Sequence, residues 1–169
     1  PPGAPESREF AQIKCSSYPV SITPTFQMRN TNNSFESSFS LVRDIQSLCL
    51  KNHKQLGVYI SMAFGNPYGD PYNEDIVEHW ADHFSALGVN VLSIADMVGL
   101  ASPLQVSSLF IKCTRNHPAV SIGVPLNSIA VDWKHKTYTR LYDGWRHLHG
   151  TWQGMGGGTL DNASLGREN

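Results

Sequence analysis

Short apolar runs alternate with segments whose apolar residues recur at helical spacing, and this alternation constrains the fold more than any other feature. Tyr18 to Thr23 reads as a strand. Asn33-Ser34-Phe35-Glu36 reads as a capping box, with Asn33 as the cap and Glu36 reaching back. Phe35, Phe39, Val42, Ile45, Leu48 and Cys49 then give one apolar stripe, which predicts a helix from 34 to about 53. Gly57 to Ala63 is the next strand, and Gly65 to Pro71 is turn chemistry. Ile76, Val77, Trp80, Phe84 and Leu87 mark a second helix stopped by Gly88.

The unit then repeats. Val89 to Ala95 is an apolar strand ending in Asp96. Ser102 caps a helix with Pro103 in its first position, and Val106, Leu109, Phe110 and Cys113 form its stripe. Ala119 to Val124 is another strand. Asp132 heads a further helix, Trp145 to Thr151 is the last strand candidate, and a glycine loop follows. Strand, crossover helix, strand, recurring about every 25 to 35 residues, predicts an α/β fold with a parallel sheet and right-handed connections. The apolar strands fit burial on both faces. Two architectures remain open: a doubly wound sheet, or part of a (β/α)8 barrel, which typically takes about 250 residues against the 169 here.

Charge removes some functions. The 13 basic and 14 acidic residues leave a net charge of -1, with no basic run. Neither a nucleic-acid partner nor a polybasic membrane anchor is expected. No apolar stretch reaches the roughly 18 residues of a membrane span. Cys15, Cys49 and Cys113 are too scattered for a disulfide framework. With no charged start before an apolar run, a cytoplasmic location is expected, and a mitochondrial one stays open. The sequons at Asn32 and Asn162 then read as chance. Residues 1–17 read as a partly irregular N-terminal segment, and 18–169 as one domain. Both ends are expected to be cut rather than capped.

In either architecture function sits at the carboxyl ends of the strands. Thr23, Thr25, Ser61, Asn66, Asp96 and Asn127 are the polar residues there, with Ser93 inside the third apolar run. Asp96 directly ends an apolar strand and reads as a site residue or as a turn cap. His147 and His149, two apart on a strand, could share an ion, or could be two polar residues at a strand end. His79 and His83 share a helix face but lack the glutamate of a zinc-protease signature, so a solvated face is expected. The loop with Gly154, Gly156 and Gly157 could cradle an anion or be simply mobile.

Three stretches carry a family likeness. Thr25-Phe26-Gln27-Met28-Arg29-Asn30-Thr31-Asn32, Ile60 through Pro71, and Ser93-Ile94-Ala95-Asp96-Met97-Val98-Gly99 resemble, in order and spacing, the loops after the fourth and fifth strands and the sixth-strand motif of the hydroxymethylglutaryl-CoA lyase family. The resemblance implies a TIM barrel, so the barrel reading is preferred: an incomplete one, about strands four to eight. It also implies cleavage of 3-hydroxy-3-methylglutaryl-CoA to acetyl-CoA and acetoacetate, with Mg²⁺ or Mn²⁺ polarising the substrate.

The family's metal ligands do not carry over. Its strand-one aspartate has no counterpart here. Its His-x-His pair falls on Pro125-Leu126-Asn127, its loop cysteine on Gly158, and its final asparagine on Arg167. Among its catalytic positions only Asp96 matches. Ser61, Asn66, Ser93 and Asn127 are substrate-pocket candidates, an acyl-CoA is the implied substrate, and no tightly bound metal is expected. The chain is therefore expected to be inactive alone. A non-catalytic binding module built on the same fold is the alternative. An unclosed barrel is further expected to expose inward-facing apolar side chains and to self-associate, or to bind a partner that completes it.

Overall fold

A computed structural model describes residues 14–127. The expected helix after Asp132, the strand at Trp145, the His147/His149 pair, the loop containing Gly154, Gly156, Gly157 and Gly158, and Arg167 lie outside the described residues. Within them the order is β1 (Cys15–Ser21), α1 (Pro24–Thr31), α2 (Phe35–Lys51), β2 (Gln55–Ser61), α3 (Glu74–Ala86), β3 (Val91–Ala95), α4 (Pro103–Asn116) and β4 (Ser121–Gly123). The four strands form one parallel sheet in sequence order, β1-β2-β3-β4. Each crossover contains a helix, as parallel pairing requires.

Local chemistry sets the ends of these elements. Ser102 heads α4 with a full capping box: its hydroxyl accepts from the Gln105 N–H, and the Gln105 side chain accepts from the Ser102 N–H. Asn73 caps α3 by accepting from the Ile76 N–H. Gly88 follows α3 at φ +81°, the left-handed turn that closes such a helix.

Three expectations need correction here. Ser34, not Asn33, caps α2: its backbone is extended and its hydroxyl accepts from the Ser37 N–H at 3.2 Å, while the Asn33 amide donates to the Thr31 carbonyl. α1 was not foreseen. It buries only Phe26 and Gln27, so it carries no apolar stripe. β1 begins at Cys15, earlier than the expected Tyr18.

The core lies between sheet and helices. Tyr18, Val20, Leu56, Val58, Ile60, Leu92, Ile94 and Ile122 alternate onto one face. They pack against Val42, Ile45, Val77, Phe84, Val106, Leu109 and Phe110 from the helices. Burying one such side chain fully is worth about 1.5–3 kcal/mol. The opposite face carries Ser17, Gly57, Tyr59, Ser61, Ser93, Ala95 and Gly123. A Cβ on Gly57 would come within 3.2 Å of the Ser17 hydroxyl, which fixes those two residues on that face. That inner face is mixed: Pro19, Tyr59 and Val91 lie on it beside the small residues, so it is less apolar than the helix-facing side but still carries some of the expected apolar side chains.

Candidate functional site

The carboxyl ends of the four strands bring most of the expected site residues to one edge of the sheet, and hydrogen bonds show what each is doing there. Asp96 continues the β3–β4 register beyond both strands. Its N–H donates to the Pro125 carbonyl at 3.0 Å, its carbonyl accepts from the Asn127 N–H at 3.1 Å, and it pairs with Leu126. The same alternation puts its side chain on the face of Leu92 and Ile94, beside Leu126, which packs on the core. Its carboxylate is buried and accepts from the N–H groups of Leu100 at 3.0 Å and Ala101 at 3.2 Å. Both oxygens thus hold the loop leading into α4. Gly99, in that loop, holds φ +74°, which a side chain would strain, and a Cβ there would lie a tight 3.3 Å from the Asn127 carbonyl oxygen.

Asn66 and Asn127 also hold loop backbone, Asn66 through three bonds and Asn127 through one. The Asn66 carbonyl oxygen accepts from the N–H groups of Tyr68 at 3.0 Å and Asp70 at 3.1 Å, and its amide donates to the Asp70 carbonyl. The Asn127 amide donates to the Met97 carbonyl at 2.5 Å. Ser61 and Ser93 are both buried on the inner face, away from the helices. So the structure brings Ser61, Asn66, Asp96 and Asn127 to the strand ends, and Ser93 beneath them.

Sequence reasoning missed two features at this edge. Gln27 joins β1, α1 and α2. Its oxygen accepts from the Ser21 N–H at 2.6 Å, and its nitrogen donates to the hydroxyls of Thr31 at 2.7 Å and Ser38 at 2.6 Å. The Tyr72 hydroxyl, on the loop entering α3, is buried with no hydrogen-bond partner. Burial first, then the carboxylates of Glu74 and Asp96, push its phenol up to about 12.

A third missed feature lies elsewhere. Glu78 and Asp82 on α3 meet His117 just beyond α4, toward the amino ends of the strands. One ligand atom from each lies within 4.8 Å of the others, which makes this the only group of three such side chains among the described residues close enough to share an ion. The Glu-x-x-x-Asp spacing was a visible signal, but nothing in the sequence joins it to His117. His79 and His83 do share a face of α3. Their rings lie 4.2 Å apart beside Trp80, and His83 Nδ1 is 2.7 Å from the His79 carbonyl.

No family model matches the chain. The hydroxymethylglutaryl-CoA lyase YngG of Bacillus subtilis is 24% identical over 138 residues, 82% of this chain and 46% of that protein. The chain thus spans about half the length of this curated relative, from the 46% covered. Two solved structures are similar. The B. subtilis HMG-CoA lyase superposes with a TM-score of 0.72 at 23% identity, over 78% of this chain and 44% of that one. An HMG-CoA lyase from Acinetobacter baumannii, in complex with coenzyme A and 3-methylmalate, gives 0.73 at 20%, over 84% and 46%. The resemblance to hydroxymethylglutaryl-CoA lyases is therefore real, partial and divergent. The parallel sheet and its helices correspond to part of such a barrel.

Proposed function

We propose that this chain is a divergent lyase-fold module that keeps an acyl-CoA-type ligand site at its strand ends and does not itself cleave 3-hydroxy-3-methylglutaryl-CoA. The observation that carries this reading is the commitment of Asp96. Asp96, the one position that the resemblance would make catalytic, has each carboxylate oxygen accepting a loop amide, from Leu100 and from Ala101. Beside it, Pro125 offers only a backbone carbonyl, which accepts from the Asp96 N–H, and Asn127 only one neutral amide oxygen, its NH2 donating to the Met97 carbonyl. A hard divalent cation wants several oxygen ligands, usually with carboxylates. These residues do not fit the Mg²⁺ or Mn²⁺ that the resemblance implies. Support for the ligand class comes from the A. baumannii relative, whose structure contains coenzyme A.

The test has two arms. Acetoacetate release from 3-hydroxy-3-methylglutaryl-CoA with Mg²⁺ or Mn²⁺ is expected to stay at background. Equilibrium dialysis with coenzyme A is expected to show saturable binding. Turnover that Asp96→Ala abolishes would overturn the first half of the reading, and absence of coenzyme A binding the second.

A further inference from the structure

The cluster on the helix layer lies away from the strand ends and has no part in the reading above. Its geometry points to a second ligand site. His117 is 7% exposed, and its Nε2 sits 3.3 Å from Glu78 Oε1 and 3.4 Å from Asp82 Oδ1. It nevertheless makes a hydrogen bond to neither: Nε2 is buried with no hydrogen-bond partner. A buried imidazole nitrogen within 3.4 Å of two carboxylate oxygens, with no hydrogen bond to either, is placed where a shared metal ion would fit.

The donor set selects among metals. One imidazole nitrogen with two carboxylate oxygens suits zinc, which binds nitrogen and oxygen ligands in a tetrahedron. Magnesium and calcium take oxygen ligands rather than imidazole. We infer that Glu78, Asp82 and His117 form a zinc-type site that staples α3 to the turn between α4 and β4.

The surroundings suit that role. The Asn116 amide donates to Glu78 Oε1 at 2.7 Å, and the Cys113 thiol donates to Glu78 Oε2 at 3.3 Å. These bonds orient the glutamate, as outer-shell partners do around metal ligands. The Asp82 side chain is exposed and free to swing inward, which closes the remaining spread of the three atoms. Three protein ligands leave a fourth position for water.

The test is calorimetric titration of the full 169-residue chain with Zn²⁺, together with thermal melts. One ion per chain with micromolar affinity and a raised Tm are expected. Asp82→Asn, an exposed change that leaves packing intact, and His117→Gln should each weaken binding at least tenfold. His79→Ala and the double variant His147→Ala/His149→Ala should leave it unchanged. Absence of saturable binding, unchanged affinity in Asp82→Asn, or loss of binding in either histidine control would overturn the assignment.

Discussion

Asp70 grips Thr25 across 45 positions of sequence: one carboxylate oxygen accepts from the Thr25 N–H and the other from its hydroxyl, each at 3.0 Å. Thr25 lies in the first turn of α1, where N–H groups have no partner within the helix. A loop after β2 thus caps a helix after β1. Replacing Asp70 with alanine removes two charge-assisted bonds and is expected to cost about 2 kcal/mol. Asp70→Asn should cost about half as much. Urea denaturation of both variants, closed into a double-mutant cycle with Thr25→Ala, checks this. A coupling energy near zero would show that the contact contributes nothing.

Tyr72 carries an orphaned hydroxyl, so Tyr72→Phe is expected to leave stability at pH 7 unchanged or raise it by up to about 1 kcal/mol. The pH dependence has a definite sign. The folded phenol titrates at about 12, above its ordinary value of 10. Its contribution is therefore fully present below about pH 10 and is lost as pH rises through about 12. The wild-type chain should lose more stability than Tyr72→Phe across that window. Parallel melts of the two proteins at several alkaline pH values test the difference.

Asp96→Ala is expected to destabilise the fold by about 2 kcal/mol, because the buried Ala101 amide and the half-buried Leu100 amide lose a charged acceptor. Asp96→Asn retains one good acceptor and should cost less. Amide exchange at Leu100 and Ala101 should accelerate in both variants. Unchanged protection there would mean the loop is held by other contacts.

β1 and β4 are the edges of the described sheet, and an edge strand presents unpaired N–H and C=O groups to any neighbour. Self-association is the expected outcome in sedimentation at micromolar concentration. A single monomeric species across that range would contradict it.

Much of the fold was legible because its signals are local. Ser102, Pro103 and Gln105 sit within one helical turn, and their capping box needs nothing from the rest of the chain. Asn33 and Ser34 are both good caps, and the choice between them depends on backbone angles set by the left-handed Asn32 just before. α1 escaped notice because tertiary bonds from Gln27 and Asp70 hold it, not an apolar stripe. The strand-end position of Asp96 was readable from the apolar run before it. Its partners were not, since a carboxylate after a strand serves a ligand or a loop equally well. The cluster of Glu78, Asp82 and His117 joins residues far apart in sequence, and only the packing of α3 against α4 brings them together.

Strand order equal to sequence order has a bearing on how such a chain is made. Among the described strands each docks beside the one synthesised just before it, so none of these four waits for a partner encoded far downstream. Adding or deleting one strand–helix unit at either end lengthens or shortens the sheet without rethreading what remains. A lineage built this way can gain or shed units by gene fusion and fission, and each step leaves the pairing of the surviving strands as it was.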